Sequence, residues 1–230
     1  MRRFYRVVDV VPDRNEFIIK LDQRFLKTPA KAELRLFTRS LADAVANEWR
    51  CQGDKIIPES MPFMRLAATA IDRVANRRAE IITEITAYGS TDLLCYRAAH
   101  PDDLVRRQED LWQPQLNWLC NRYGIDLKVT TGVMMIVQDA GALAKIAALA
   151  EQQNDLRLTI LHLTTSALGS VVLALALLTG EIDAEMAYAL SQLDETYQIE
   201  RWGEDHEAAK QQANLKRDIA DYARFLALLS

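Results

Sequence analysis

The chain has 230 residues, of which 50% are hydrophobic and 26% are charged, and its net charge is -4. This length corresponds to one large domain or two small ones, and the composition is that of a packed globular protein. The slightly acidic balance gives no general attraction to phosphate backbones or anionic lipid, so we expect no nucleic-acid partner.

The first forty residues have the pattern of a meander of short strands. Turn-forming residues separate the apolar runs, and the runs themselves are rich in β-branched and aromatic side chains. The predicted strands are Phe4–Val11, Phe17–Leu21, Phe25–Lys27 and Leu34–Phe37. From Leu41 to Trp49 the apolar residues fall at helical spacing, with Ser40 as the expected N-cap. We therefore predict one helix packed on a small antiparallel sheet.

Nearly all of the remaining chain has helical periodicity. The predicted helices are Met64–Arg78, Glu80–Tyr88, Pro101–Tyr123, Ala140–Asn154, Leu156–Thr179, Ala184–Gln192, and Asp194 to the C-terminus with a break near Gly203. Only Leu127–Val137, rich in Val, Ile and Thr, does not fit a helix. The fold class predicted is α+β, with an N-terminal α+β domain at residues 1–75 and a larger all-α domain at residues 76–230.

One segment is long enough to span a bilayer, because Leu158–Gly180 carries no charged residue over 23 positions. Its first half, however, contains polar side chains that hydrocarbon penalises, including His162, Thr164 and Ser170. No basic cluster or aromatic belt flanks it. We therefore predict no membrane insertion, and expect this segment to be the central helix of the helical domain.

Few features of the sequence suggest catalysis. The eight glycines are scattered, which excludes the common nucleotide-binding loops, and the three widely spaced cysteines give no disulfide framework or metal site. His162 is expected to be a core histidine, with proton transfer as the alternative, and Cys95 a small buried side chain. The alternative function is a small-molecule enzyme with a site between the two domains near Glu195, His162 and Cys95.

The most unusual stretch is Asp194–Asp205, because helical spacing places Glu195, Gln198 and Trp202 on one face with Ile199. If that face is buried, Glu195 needs a partner such as Arg97 or Arg73. If it is exposed, an acid beside a tryptophan is typical of a protein-binding hot spot. Glu200 lies about a quarter-turn away and can belong to the same surface.

Five ordered segments resemble one known family. They are LKTPA at 26–30, LADAVANEW at 41–49, MPFMRLAATAID at 61–72, YGSTDLLCYRA at 88–98 and LDETYQIERWGEDHEA at 193–208. Together they are similar to the assembly chaperones of the F-type ATP synthase that act on the alpha subunit of its catalytic head. The resemblance runs nearly end to end.

The resemblance implies a chaperone without catalytic activity or cofactor, which holds the unassembled alpha subunit until the beta subunit replaces it. It also implies a bacterial, cytoplasmic protein, since the chain begins directly on its first predicted strand. We expect a monomer when the protein is free. The family's acidic functional position corresponds first to Glu195 and second to Glu200. We expect Glu195, Gln198 and Trp202, together with Trp49 from the N-terminal domain, to contribute to the contact with the partner or to support it. The alternative for Trp49 is packing in the core.

Overall fold

The computed structural model describes residues 1–132, 134–203 and 206–230, except for the side chain of His206. The chain forms two compact units. The first consists of Met1–Arg78, Asp155–Thr159 and Arg224–Ser230, and the second of Ala79–Asn154 and Ile160–Ala223. Strands lie mainly near the N-terminus and helices dominate the rest, so the predicted α+β class is confirmed. The predicted division into an N-terminal domain at residues 1–75 and a helical domain at residues 76–230 stays a prediction.

A small antiparallel sheet forms the N-terminal part of the first unit. Its strands are β1 (Val8–Asp13), β2 (Glu16–Leu21), β3 (Arg24–Phe25) and β4 (Arg35–Leu36). Strand β2 pairs with each of the other three. Arg14 and Asp22, at the two hairpin turns, have φ angles of 59° and 55°. The carboxylate of Asp22 accepts hydrogen bonds from the backbone N–H groups of Arg6 and Val7, which fastens the chain entering β1 to the second turn.

Two α-helices lie entirely within the first unit. Helix α1 (Arg39–Arg50) buries the face that carries Leu41, Val45 and Trp49, as its spacing predicts. Helix α2 (Pro62–Thr69) continues into a π-helical turn at Ala70–Val74. The predicted N-cap Ser40 is wrong by two residues, because the hydroxyl of Thr38 accepts the backbone N–H of Leu41. Thr38 has the extended backbone conformation that an N-cap needs.

Polar residues of the N-terminal segments that carry the family resemblance bond to one another. The carboxylate of Glu48 accepts the backbone N–H groups of Phe63 (2.7 Å) and Met64 (2.8 Å), which otherwise have no partner in the first turn of α2. Thr28 donates its hydroxyl to Asp72 Oδ1 at 2.6 Å. These segments therefore contribute to the internal structure of the first unit.

Within the described residues the remaining elements are eight α-helices, 3₁₀ turns at Pro58–Ser60 and Leu93–Cys95, and a short parallel strand pair. The helices are α3 (Arg78–Ser90), α4 (Asp102–Tyr123), α5 (Ala140–Glu151), α6 (Asp155–Leu168), α7 (Val171–Thr179), α8 (Ala184–Ser191), α9 (Leu193–Trp202) and α10 (His206–Ala227). The strands are β5 (Tyr96–Arg97) and β6 (Thr130–Thr131). Helix α7 packs against α4 and α8, and the fully buried Trp112 of α4 donates its indole N–H to the Leu190 carbonyl.

The single helix predicted at Leu156–Thr179 is wrong, because the segment forms α6 and α7. The two helices are separated at Gly169, whose φ of 65° favours glycine, and Ser170 caps α7 by accepting the N–H of Leu173. The expected central position is found for α7, in which every residue from Val171 to Leu178 is buried. No helix in the described part of the chain is long and apolar enough to cross a membrane.

A buried carboxylate lies where the chain enters α7. Asp92 is fully buried and accepts hydrogen bonds from the backbone N–H groups of Leu94 and Val172 and from the hydroxyl of Ser170. Burial raises the pKa of Asp92 to about 6, against the opposing effect of these donors. Asp92 thus joins the segment after α3 to the first turn of α7.

Candidate partner-binding site

Helix α9 is held against α4 by hydrogen bonds between their side chains. The amide nitrogen of Gln108 donates to Asp194 Oδ1 at 2.7 Å. Tyr197 donates its hydroxyl to Asp103 Oδ1 at 2.8 Å, and Arg201 bonds to the other oxygen of Asp103. Asp194, Tyr197 and Arg201 recur at helical spacing, so this face of α9 is directed toward α4.

Charged groups reinforce this contact. Arg107 of α4 forms an ion pair with Glu200 at 2.8 Å, and the guanidinium groups of Arg107 and Arg201 both lie over the ring of Tyr197. The hydrogen bond from Tyr197, together with Arg201, lowers the pKa of Asp103 below its usual value. Glu200 is therefore committed to an internal ion pair, although it also lies at the surface.

A neighbouring face of α9 is free of such bonds. Glu195 and Gln198 are exposed, and 77% of the surface of Trp202 is accessible. In the described part of the chain the side chains of these three residues make no hydrogen bond and no ion pair. They lie at i, i+3 and i+7, so they form one continuous exposed face, which we call the α9 face. Within the predicted Asp194–Asp205 stretch, Glu204 and Asp205 lie outside the described residues.

The buried alternative considered for Glu195 is not realised. Arg97 is 7% exposed, and its guanidinium donates to the carbonyls of Leu94 and Gln108 and approaches Glu109. Glu195 is not among the partners of Arg97. The carboxylate therefore remains available at the surface, and its role in partner binding stays a prediction.

Trp49 has a different environment from the α9 face. It is 8% exposed, its ring packs edge-on against Tyr5, and the hydroxyl of Tyr5 donates to the Trp49 carbonyl at 2.6 Å. Its indole N–H has no hydrogen-bond partner within the described residues. Trp49 is therefore packed in the core, as the alternative for this residue expected. Any part it has in the partner contact stays a prediction.

The residues of the alternative enzyme site do not assemble. His162 pairs with Glu84 at 2.8 Å in an open groove also lined by Tyr88 and Ser166, and neither Cys95 nor Glu195 lines that groove. Burial raises the pKa of the Cys95 thiol to about 12, so this sulfur is not a thiolate near neutral pH. Within the described residues no hydrogen bond joins any two of Cys95, His162 and Glu195.

Gln108 is the organising residue that sequence reasoning missed. It is 1% exposed, its side-chain oxygen accepts the N–H of Ala98, its side-chain nitrogen reaches Asp194, and its carbonyl accepts Arg97. It therefore links the fourth and fifth family-like segments. A polar residue on an otherwise apolar helical face would have been the only signal in the sequence.

Comparison with known proteins agrees with this architecture. The family model of the ATP12 chaperone protein matches residues 2–120. The mitochondrial protein atp12 of Schizosaccharomyces pombe is 26% identical over 241 residues, which covers 96% of this chain and 81% of the relative. The crystal structure of Atp12 from Paracoccus denitrificans is 39% identical, with a TM-score of 0.96 over 100% of this chain and 98% of that one. A structure from Agrobacterium tumefaciens is 40% identical, with a TM-score of 0.94 over 100% of this chain and 86% of that one.

The structural matches span the whole chain and so include all five family-like segments, and the family model includes the first four. The resemblance to assembly chaperones of the ATP synthase is confirmed, and the chain belongs to the ATP12 chaperone family.

Proposed function

We propose that this protein binds the unassembled alpha subunit of the F-type ATP synthase catalytic head and prevents its aggregation until the beta subunit replaces it. The α9 face, with Glu195, Gln198 and Trp202, forms the centre of the contact. Glu200 pairs with Arg107 on the side of the helix that meets α4, and its part in the contact stays a prediction. The choice of the alpha subunit comes from the family resemblance. The cytoplasmic location and the monomeric state stay predictions from the sequence.

One observation carries the proposal of this face. Asp194, Tyr197, Glu200 and Arg201 of α9 all bond to α4, whereas the side chains of the α9 face bond to nothing in the described residues. Internal structure therefore accounts for one side of the helix and leaves the other unexplained. A tryptophan side chain that is 77% exposed and makes no bond to the rest of the described protein is unusual.

The chemistry of the α9 face suits a reversible contact. Trp202 supplies a large apolar surface, and Glu195 supplies a charge that attracts a basic group on the partner. A contact with an apolar centre and a polar margin, at the standard size of about 1,600 Å², gives affinities that another subunit can overcome.

The test is capture of the free alpha subunit by co-expression and by titration of the purified proteins. Glu195→Lys reverses the charge, and we expect binding about tenfold weaker or more. Trp202→Ala removes the exposed ring, and we expect a loss of about 2 kcal/mol, or roughly thirtyfold. Both substitutions lie at the surface, so the thermal midpoint should remain that of the wild type.

Asp110→Lys is the matched control, because Asp110 is an exposed carboxylate of α4 that makes no side-chain bond within the described residues. It makes the same change of net charge without altering the α9 face, and it should bind like the wild type. Equal weakening by Asp110→Lys would show that only overall charge matters. Full binding by both α9 variants would assign the contact to another surface.

A further inference from the structure

A closed loop between α4 and α5 is fixed at both ends. The buried side chain of Gln138 accepts the backbone N–H of Lys128 at 2.8 Å and donates to the Lys128 carbonyl at 2.9 Å. Lys128 Nζ also donates to the carbonyl of Val137. These bonds close a segment that we call the 128–138 loop. Residue 133 lies outside the described residues, and nothing below depends on it.

The same loop is anchored to the helical unit. Thr131 of β6 pairs with Arg97 of β5, and the N–H of Gly132 donates to the Arg97 carbonyl at 2.9 Å. Arg97 in turn donates to the carbonyl of Gln108, whose side chain holds Asp194 of α9. The loop and α9 are therefore fastened to the same turn of α4.

Most of the described side chains that this loop exposes are apolar, and the exceptions are Lys128 and Thr131. Met134, Met135 and Val137 are 73%, 75% and 79% exposed, and Val129 is 42% exposed. These are four of the seven exposed large hydrophobic side chains described in the second unit. Such a concentration on a monomer's surface marks an interaction site. Methionine is suited to this because its flexible thioether adapts to differently shaped apolar surfaces.

The occupant follows from the family and from the composition of the α9 face. An assembly chaperone of the ATP synthase must cover apolar surface on a subunit that lacks its neighbours, but Trp202 is the one large apolar side chain of the α9 face. A membrane surface is disfavoured because Lys128 is the one basic residue among positions 128–138. An apolar segment of the unassembled subunit fits both the chemistry of the loop and its link to α9.

We propose that the 128–138 loop is a second client contact, which packs Val129, Met134, Met135 and Val137 against an apolar segment of the unassembled ATP synthase subunit. The proposal rests on the proposed function, since the α9 face and the loop would hold the same client. Because Gln138 and β5 fix the loop before binding, less conformational entropy is lost when the client packs on it.

The test uses the full-length protein with the isolated alpha subunit diluted from denaturant. Met134→Gln/Met135→Gln keeps the size of both side chains and replaces their apolar ends with amides. We expect client binding about tenfold weaker and a matching loss of suppression of light scattering. Met186→Gln is the matched control, since Met186 is 47% exposed on α8 of the same unit, and it should behave like the wild type. Circular dichroism and the thermal midpoint should be unchanged in both.

Each result has one reading. If the wild type and Met134→Gln/Met135→Gln capture the alpha subunit equally well, the loop proposal is overturned while the proposed function stands. If the wild type does not capture the alpha subunit, both are overturned. If the wild type forms a dimer in sedimentation that the loop variant does not form, and client capture is unchanged, the loop binds a second copy and the proposal is overturned.

Discussion

Removal of the buried carboxylate of Asp92 should destabilise the helical unit far more than removal of an exposed cap. In Asp92→Ala three buried donors lose their acceptor, namely the N–H groups of Leu94 and Val172 and the hydroxyl of Ser170. An unsatisfied buried donor costs about 2 kcal/mol, so the gross loss is about 6 kcal/mol. The variant also relieves the burial of a charge, which offsets part of this loss because burial raises the pKa of Asp92 to about 6.

The net expectation is a loss of about 3 kcal/mol in the free energy of unfolding. Urea titration followed by far-UV circular dichroism at pH 7 measures this loss. Asp183→Ala is the matched control, because Asp183 caps α8 by accepting the N–H of Met186 at 2.8 Å while remaining exposed. An exposed cap is worth about 1 kcal/mol. Equal losses in the two variants would refute the reasoning that burial makes the Asp92 cap costly to remove.

Two further predictions concern the internal carboxylates. The pKa of Asp92 rises from 3.8 to about 6 on folding, so the folded protein binds the proton more tightly, and the Asp92 contribution to stability falls by about 2 kcal/mol between pH 4 and pH 7. The difference in unfolding free energy between the wild type and Asp92→Asn should fall by that amount over the same range in urea titrations, and a constant difference would contradict the raised pKa. Glu48→Ala leaves the N–H groups of Phe63 and Met64 without their carboxylate and should cost about 2 kcal/mol, seen as a lower thermal midpoint. Glu48→Gln retains one neutral acceptor oxygen, so its thermal midpoint should lie between those of Glu48→Ala and the wild type.

The periodicity of apolar residues predicted many of the helices and strands, because each of these elements is encoded by residues close together in the sequence. The alternation of apolar residues before Leu21 and the helical spacing from Leu41 to Trp49 report faces that are buried in the structure. The apolar run through Leu158–Gly180 gave the wrong helix, because hydropathy does not register a single left-handed glycine at Gly169. Hydropathy describes which residues are buried, but not where the backbone turns between them.

The same sequence patterns predicted only part of the candidate site. Helical spacing correctly grouped Glu195, Gln198 and Trp202 on one face, since that depends on α9 alone. Which side of α9 is buried depends on Asp103 and Gln108, which lie about ninety positions earlier in the chain. The sequence did not show that the apolar side chains of the 128–138 loop are exposed, because a buried strand has the same composition.

The interruption between α6 and α7 also limits the length of helix that the chain's most apolar segment forms. With 14 and 9 residues, the two helices are about 21 Å and 14 Å long, and neither spans the roughly 30 Å of a hydrocarbon core. An uninterrupted helix over residues 158–180 would exceed that thickness. The left-handed Gly169 and the cap at Ser170 therefore divide an uncharged stretch of membrane-spanning length into two helices that are each too short to span the hydrocarbon core. A helix-favouring pair of residues at these two positions would remove the left-handed turn and the cap while leaving the composition of the chain almost unchanged.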